Sequence, residues 1–409
     1  MRHRIARAGL VRSSLVVATV ALGGWAQARA QGYQDYSLFG ARGIFLRGAT
    51  VNGGVVGSNN DVNVGGFSSF TALAGGGELN AQGPNVAGDV TFNGNVSLGG
   101  ATVGGSIDSG RDVSLTSFAR VHNITAKGDV NFNGSALDGN VVAGNNFSLG
   151  TFVTLNGNVA ANNNVIINGS TIQGNVTYGN TLYFDTFGGS IKGTQTVGAV
   201  TANPRPYSPV TLPPAAQFTA GGPNLTSGGS QLNPLAPGSY GDIHLASFQD
   251  LYLRPGNYYF SSLEILNSQN IHLIGLTAQD HINVFVTGNI TEGALSDTII
   301  NGKSFASADP TLARGVLFET LGNFRQDSLG ADNIFGTIFA PNGDITFGQF
   351  SHVDGSVLAG GRVFSGPGFV ENFAPSTSVP EPPALVMTAI GLGAAGASAF
   401  RRRHADRAS

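Results

Sequence analysis

Short runs of alternating apolar residues recur along the chain at a nearly constant interval. One column of such runs begins at Val90, Val113, Val130, Phe147, Val165 and Leu182, which after a first interval of 23 are 17 or 18 residues apart. Two further columns run through Ile107, Ile124, Val141, Val159 and Val176, and through Val121, Leu137, Leu155 and Ile172. Period-two alternation is typical of half-buried strands. Three such runs per turn, separated by Gly, Asn and Ser, predict an all-β fold: a three-faced parallel β-helix with about 17–18 residues per turn.

A second series of alternating segments follows later in the chain. It comprises 243–245, 251–253, 258–260, 263–265, 271–273 and 282–286, and the segment 336–347 is echoed by 355–364 at an offset of 18 or 19. These segments predict further stacked coils. An antiparallel sandwich is the main alternative, but it would show turn signals every 8–12 residues rather than this longer fixed period.

The two series are separated by a proline-rich stretch. Eight of the 17 prolines lie within 191–240, and proline favours extended chain and cannot donate to a strand ladder. We interpret the stretch as a linker or loop that interrupts one continuous solenoid, with two separate domains as the alternative. The predicted division of the chain is 1–30 (signal peptide), 31–190 (repeat solenoid), 191–240 (linker), 241–374 (second β-helix half) and 375–409 (sorting segment).

The first thirty residues have the pattern of a secretory signal. A start rich in arginine precedes the short apolar core 15–24, and Ala28 and Ala30 form an A-x-A cleavage site. The apolar run is too short for a transmembrane anchor. We therefore predict a signal helix that signal peptidase removes.

The end of the chain combines a short motif, an apolar stretch and a basic cluster. Pro380, Glu381 and Pro382 precede the apolar residues 384–400, and Arg401, Arg402 and Arg403 follow. Seventeen apolar residues are just enough for a single transmembrane helix, and the arginines would hold its end in the cytoplasm. The arrangement resembles the PEP-CTERM sorting signal of Gram-negative bacteria. The resemblance implies an inner-membrane precursor that an exosortase cleaves at Pro380-Glu381-Pro382.

The second half of the body resembles a family of bacterial surface proteins. The residues that carry the resemblance lie in 282–288, 315–324, 335–344 and 354–360. They are similar to the choice-of-anchor A family, which implies an adhesive β-helix on the cell surface. The 17–18-residue turns of the first half look more like those of bactofilins, polymer-forming β-helices, and the second half is loosely similar to ice-binding β-helices.

The amino-acid composition excludes several classes of function. The chain has 409 residues, no cysteine and only 11% charged residues, which excludes disulfides, thiolate metal sites and cysteine catalysis. The body 31–374 carries 12 basic and 22 acidic residues, a net charge of 12 − 22 = −10. Because a nucleic-acid backbone is bound by clustered Lys and Arg, and the sequence of the body has no such cluster, nucleic acid is not an expected partner.

One repeat position carries acidic and amide side chains. Asp112, Asp129, Asn146 and Asn164 each precede the first apolar residue of a turn, and Asp89 does so further upstream. Paired carboxylates could act on glycosides, and a Ca²⁺ ion between Asp112 and Asp129 would relieve their repulsion. Because the position changes from Asp to Asn, we favour a ladder of turn-forming side chains and expect no cofactor, with Ca²⁺ as the alternative.

The sequence contains no hydrolase constellation. There is no G-x-S-x-G, H-E-x-x-H or P-loop motif, and His122, His244, His272, His281 and His352 are scattered singly. We therefore expect an exported structural or adhesive surface protein, not an enzyme, associated with extracellular polysaccharide, biofilm or other surface proteins.

Two alternatives remain from the sequence. A polysaccharide lyase or glycoside hydrolase would need basic groups near a carboxylate, for which 85–180 offers only Arg111, Arg120 and Lys127. An ice-binding protein would need a flat array of paired threonines. Thr91, Thr151, Thr154 and Thr171 give no such column in the sequence.

The sorting interpretation makes a direct prediction. We expect replacement of Pro380, Glu381 and Pro382 by alanine to leave an uncleaved precursor in the inner membrane, because the protease would have no motif to recognise. Immunoblots of membrane and surface fractions measure this. Normal surface release of the variant would refute the sorting assignment.

Overall fold

The protein is a parallel β-solenoid. A computed structural model describes residues 32–117, 119–133, 136–185, 187–245, 248–304, 307–326 and 332–375. In these ranges all pairings between named strands are parallel, and the helical segments described are short 3-10 turns at Tyr33–Asp35 and Pro310–Gly315. No helix of the described residues is long and apolar enough to cross a membrane. The expected signal helix in 1–30 and the C-terminal span lie outside these ranges.

The strands are short and numerous. The first half comprises β1 (Tyr36–Gly40), β2 (Gly43–Arg47), β3 (Thr50–Asn52), β4 (Val55–Ser58), β5 (Val62–Gly65), β6 (Ser69–Phe70), β7 (Leu73–Gly75), β8 (Leu79–Gln82), β9 (Asn85–Val86), β10 (Val90–Phe92), β11 (Val96–Gly99), β12 (Thr102–Ser109), β13 (Val113–Thr116), β14 (Arg120–Ala126), β15 (Val130–Phe132), β16 (Ala136–Leu137), β17 (Val141–Ala143), β18 (Phe147–Leu149), β19 (Thr154–Leu155), β20 (Val159–Ala161), β21 (Val165–Ile167), β22 (Thr171–Ile172), β23 (Val176–Tyr178), β24 (Leu182–Phe184), β25 (Ser190–Ile191) and β26 (Gln195–Val197). The second half comprises β27 (Gly238–Ser239), β28 (Asp242–His244), β29 (Leu251–Leu253), β30 (Gly256–Phe260), β31 (Ser262–Ile265), β32 (Ile271–Leu273), β33 (Ile282–Val286), β34 (Ile290–Glu292), β35 (Thr298–Ile300), β36 (Val316–Thr320), β37 (Phe324–Gln326), β38 (Asn333–Phe335), β39 (Thr337–Ala340), β40 (Ile345–Phe347), β41 (His352–Gly355), β42 (Val357–Ala359), β43 (Arg362–Ser365) and β44 (Val370–Phe373).

Each complete turn of the coil, here called a rung, contributes one strand to each of three faces. The strap face contains β1, β4 and β7, the groove face contains β2, β5 and β8, and the third face contains β3, β6 and β9. Inward side chains fill a single apolar core that runs through both halves of the chain. No rung could bury its own apolar side, so the stability comes from stacking on neighbours.

The predicted columns are confirmed with one correction. Val113, Val130 and Phe147 lie in register on consecutive rungs of the groove face, as the repeat requires. Val90, however, pairs with Ile107 on the strap face and belongs to the second column. The true neighbour of Val113 is Val96. The first interval of 23 is thus one rung of 17 residues plus the six residues that separate two faces.

The order of the rungs in space differs from their order in sequence. The fifteen strands of the groove face run β24, β21, β18, β15, β13, β11, β8, β5, β2, β43, β40, β37, β34, β31 and β28. The first rung of the chain therefore lies in the middle of the solenoid, stacked directly on the last rung. All three faces contribute to this junction, through the pairs β1–β42, β2–β43 and β3–β44.

The chain returns from one end of the solenoid to the other through an extended segment, residues 198–221, which we call the strap. Gly198 donates to the Tyr178 carbonyl at β23, and Gly221 donates to Ser239 at β27. The fourteen strand spacings between these points amount to about 67 Å at ~4.8 Å each. Twenty-three residues of polyproline II chain reach about 71 Å. The strap is therefore only just long enough, and its prolines favour the extension that it needs.

Burial along the strap repeats every third residue. Tyr207, Val210 and Pro213 face the sheet and are buried, whereas their neighbours are largely exposed. Three residues of polyproline II chain advance about 9.3 Å, close to the ~9.6 Å of two rungs. The strap thus presents one side chain to every second rung of the strap face.

Asparagine amides hold the backbone of the strap. Asn59 accepts from the Val210 N–H at 2.8 Å and donates to the Val210 carbonyl at 2.8 Å. Asn93 does the same for Tyr207, at 2.9 and 3.0 Å. These side chains replace the strand partner that the strap lacks. The Arg205 guanidinium adds an ion pair to Asp89 at 2.8 Å.

The strap covers an apolar row on the outside of the strap face. Phe39, Leu358 and Phe339 occupy adjacent outward positions and are buried. Consequently β1, β36 and β39 are buried on both sides. Glu319 lies in the same row, accepts from the Ala216 N–H at 2.6 Å, and is fully buried. Burial raises the pKa of its carboxyl to about 7, and the Ala216 hydrogen bond opposes that shift.

Because the strap buries Glu319, we predict that the stability of the protein falls as the pH rises. A carboxyl whose pKa is raised on folding binds its proton more tightly in the folded state, so stability is lost from about pH 4.5 up to about pH 7. We expect Glu319→Gln to reduce the loss of unfolding free energy between pH 5 and pH 8 by up to about 3 kcal/mol. Chemical denaturation at both pH values measures this. Glu78→Gln, an exposed control, should keep the wild-type slope. An equal slope in wild type and E319Q would contradict the account.

Candidate functional site

Several of the predicted site residues fall outside the described ranges. These are the cleavage-site residues Ala28 and Ala30, the motif Pro380, Glu381 and Pro382, and the cluster Arg401, Arg402 and Arg403. Their roles in export and sorting remain predictions from the sequence.

The Asp and Asn column forms a ladder of side-chain to backbone hydrogen bonds. Asp112 accepts from the N–H of Asp129 at 2.8 Å, and Asp129 accepts from the N–H of Asn146 at 2.9 Å. Asn146 accepts from the Asn164 side chain at 2.9 Å. Each side chain therefore satisfies a turn N–H of the next rung, a role that Asp and Asn can fill equally well.

Asp89 does not belong to this column. It precedes β10 on the strap face, where it accepts from the Ser106 N–H at 2.9 Å and pairs with Arg205 of the strap. Burial acts to raise its pKa, but these two hydrogen-bond donors hold the pKa of Asp89 below its usual value. The misplacement follows from assigning Val90 to the wrong face.

No predicted ligand set or catalytic cluster comes together in the described ranges. They contain no group of three or more His, Asp or Glu side chains placed to hold a metal ion. His244 pairs with Glu264 at 2.7 Å and His272 with Asp250 at 2.9 Å. Both pairs link the same two rungs, but they lie on different faces. Arg120 lies on the third face, whereas Arg111 and Lys127 lie in turns between the strap and groove faces. Arg111 and Lys127 thus lie in equivalent turns of neighbouring rungs, and Arg120 lies apart from them on another face.

Two acidic side chains point into the solenoid. Glu292 accepts from Gln326 at 3.2 Å, and burial raises the pKa of Glu292 to about 8. Glu371 lies in the inward column between Val353 and Val51, and burial raises its pKa well above the usual value. Both are almost completely shielded from solvent, so neither carboxyl can contact a polymer outside the solenoid.

A groove of about 580 Å³ lies on the groove face at the junction of the first and last rungs. Phe45 of β2 and Phe364 of β43 are in register, and their rings stack at a centroid distance of 5.2 Å and an angle of 13°. Asn63 and Asn80 continue the outward row, and Gln82 lies on the rim. The groove therefore combines an apolar platform with amide groups that both donate and accept hydrogen bonds.

Glycines give the groove its shape. A side chain at Gly43 would meet the Phe45 ring at 3.4 Å and the Arg362 stem at 4.0 Å, and Gly43 has a φ of +145°. These are ordinary contact distances, so it is the positive φ that favours glycine at this position. Gly65 sits between Arg47 and Gln82 and would place a Cβ in open space, 3.9 Å from the nearest atom. The lack of a side chain there keeps the floor of the groove open.

The groove was not predicted from the sequence. Its two phenyl rings are 319 residues apart, as 364 − 45 shows, and the repeat spacing relates only rungs that follow one another in the chain. The available signal was weak: phenylalanine stands at outward positions of β2 and β43, whereas the neighbouring rungs from β5 to β18 carry Asn or Ser at this position.

Comparisons with known proteins agree with a β-solenoid of the bactofilin type in part of the chain. The family model of bactofilins, described as polymer-forming cytoskeletal proteins, matches residues 79–201. This match supports the resemblance seen in the turns of the first half. It covers less than a third of the chain. A search of curated proteins finds no match.

Three solved structures are similar to the chain at low identity. An ice binding protein from an Antarctic bacterium Flavobacteriaceae is 15% identical over 84% of this chain and 98% of its own, with a TM-score of 0.27. A possible adhesin C-terminal domain from Caldicellulosiruptor kronotskyensis is 14% identical over 88% and 96%, with a TM-score of 0.29. The tapirin C-terminal domain of Caldicellulosiruptor kristjanssonii is 12% identical over 85% and 95%, with a TM-score of 0.24. Similarity at this level carries no information about function.

The hydrogen-bond ladder predicts how Asp129 responds to substitution. We expect Asp129→Ala to lower the unfolding free energy by about 1–2 kcal/mol, because the Asn146 N–H loses its acceptor. Asp129→Asn keeps an acceptor oxygen and should be nearly neutral. Thermal melts with Ca²⁺ and with a chelator check both the ladder and the calcium alternative. Calcium-dependent stabilisation that disappears in D112N/D129N would contradict the ladder interpretation.

Proposed function

We propose that the protein is an exported structural and adhesive component of the cell surface, and that its groove binds extracellular polysaccharide. The single observation that carries the proposal is the stacked pair Phe45 and Phe364, set among amide side chains in an open groove. Sugar rings present C–H groups on their faces and hydroxyls at their edges. An aromatic platform with flanking amides offers a partner to each.

The construction of the molecule supports a structural role. A rigid solenoid with a single continuous core exposes long, flat, weakly charged walls, a form suited to lying along a polymer. The bactofilin match in the first half and the choice-of-anchor A resemblance in the second support the same reading. Export by signal peptidase, release by an exosortase at Pro380-Glu381-Pro382, and a place in a biofilm matrix complete the proposal.

Catalysis is the less supported alternative. The groove is lined by phenyl, amide, guanidinium and hydroxyl groups, and its lining includes no carboxylate and no histidine. Glycoside hydrolysis generally uses a pair of carboxylates. Incubation with the host polysaccharide tests this alternative, because a lyase or hydrolase would produce new unsaturated or reducing ends.

Ice binding is also less supported. Thr154 and Thr171 are neighbours on the third face, a pairing that the sequence did not indicate. In their outward row, Ala136 and Arg120 separate these two threonines from Thr102, so the row is not a continuous threonine array. Thr91 lies on the strap face. A measurement of thermal hysteresis would decide this alternative.

The proposal predicts that binding depends on the aromatic platform. We expect the double variant F45A/F364A to lose about tenfold or more of its affinity for the extracellular polysaccharide of the host, because both stacking surfaces are removed. Gly65→Phe should weaken binding similarly by filling the floor while leaving both rings in place. Affinity electrophoresis with the purified protein, with cellulose as the comparison polymer, measures these changes.

A matched control separates the groove from the rest of the surface. Phe152 is 92% exposed at a corner of the solenoid away from the groove, and Phe152→Ala should bind like wild type. If F45A/F364A and G65F both retain full affinity while still folded, the groove is not the binding site.

A further inference from the structure

Three arginines surround the aromatic pair of the groove. Arg362 precedes Phe364 by two residues and Arg47 follows Phe45 by two, so each lies about 7 Å along its strand on the same outer side. Arg325 occupies the outward row two rungs from Phe364, about 10 Å away. Successive rungs of the second half bring Arg325 near Arg362, and the junction of first and last rungs adds Arg47. The body thus has a basic cluster that the sequence did not indicate.

None of the three arginines forms an ion pair with another residue of the described ranges. In the described ranges the ion pairs involve only Arg205 and three histidines as the cations. Arg47, Arg325 and Arg362 are exposed, although the body carries a net charge of −10 from 12 basic and 22 acidic residues. Three of these 12 basic residues therefore lie unpaired within four neighbouring rungs of one face.

The geometry points to the chemical class of the ligand. We propose that the groove binds an acidic polysaccharide, with carboxylates on its sugar rings, lying along the solenoid axis; this rests on the proposed function. The stacked rings of Phe45 and Phe364 contact the apolar face of a sugar. Arg47 and Arg362 flank that sugar on opposite sides, and each guanidinium can donate two parallel N–H groups to a carboxylate. Arg325 lies further along the axis, where it meets a later sugar of the same chain.

A carboxylated polysaccharide fits the groove better than a nucleic acid does. The acidic residues Asp61, Glu78 and Asp344 lie in the turns beside the groove face, and the whole body is negative. Such a field opposes a densely charged phosphate backbone. A chain of acidic sugars carries at most one carboxylate per ring, fewer than the one charge per ~1.7 Å of duplex DNA, and three arginines can match these carboxylates locally.

Polygalacturonate and its methyl ester test the proposal, because they share one sugar backbone and differ only in the charge of the carboxyl group. We expect the purified protein to bind polygalacturonate about tenfold or more tightly than the fully methylated polymer, since charged hydrogen bonds are the stronger ones. The triple variant R47Q/R325Q/R362Q should bind both polymers equally, at the level of the ester. Arg111→Gln, an exposed control outside the groove, should behave as wild type.

The possible results test the charge of the ligand and the proposed function separately. Equal binding of the two polymers by wild type would overturn the acidic ligand while leaving polysaccharide binding in place. Binding of neither polymer, nor of the host polysaccharide, would overturn the proposed function as well. Tighter binding of single-stranded DNA than of polygalacturonate would replace the proposed ligand by a nucleic acid. Circular dichroism melts of the variants show whether each remains folded.

Discussion

The length of the strap is the constraint on which the rest of the molecule depends. About 71 Å of extended chain must cover about 67 Å of stacked strands, so the segment from Gly198 to Gly221 has almost no slack. Only a chain that stays extended can carry the second half back to the far end of the solenoid. From there the second half winds toward the first rung and stacks on it. A shorter or coiled connection could not bring the second half to that end, and the last rung could not stack on the first.

The closure that follows from the strap also creates the binding face. Stacking the last rung on the first covers six strand edges, three from each rung, which would otherwise be free to pair with other chains. It places Phe45 against Phe364 and adds Arg47 to the wall that carries Arg325 and Arg362. The fold and the groove are therefore consequences of one pairing. A change that opened the junction would remove the groove without altering any residue that lines it.

The sequence predicted the local pattern of this structure and missed its long-range order. Columns such as Val113, Val130 and Phe147 could be predicted because neighbouring rungs repeat at a fixed interval. The stacking of the first rung on the last could not, because no periodicity relates the two ends of a chain. One unused signal was the adjacent apolar residues Leu38-Phe39 in β1 and 338–340 in β39, which indicate strands buried on both sides.

The central claim is that β3 of the first rung lies beside β44 of the last, and a disulfide tests it most directly. Asn52 and Asn372 are paired in register and their side chains hydrogen bond at 3.0 Å. Neighbouring parallel strands are about 4.8 Å apart, within the range of a disulfide. Because the chain has no cysteine, N52C/N372C contains only the engineered pair. We predict that mild oxidation of the folded monomer consumes both thiols and gives a reducible, faster-migrating band on denaturing gels. Two thiols that remain free, or that form only intermolecular links, would contradict the closure of the solenoid.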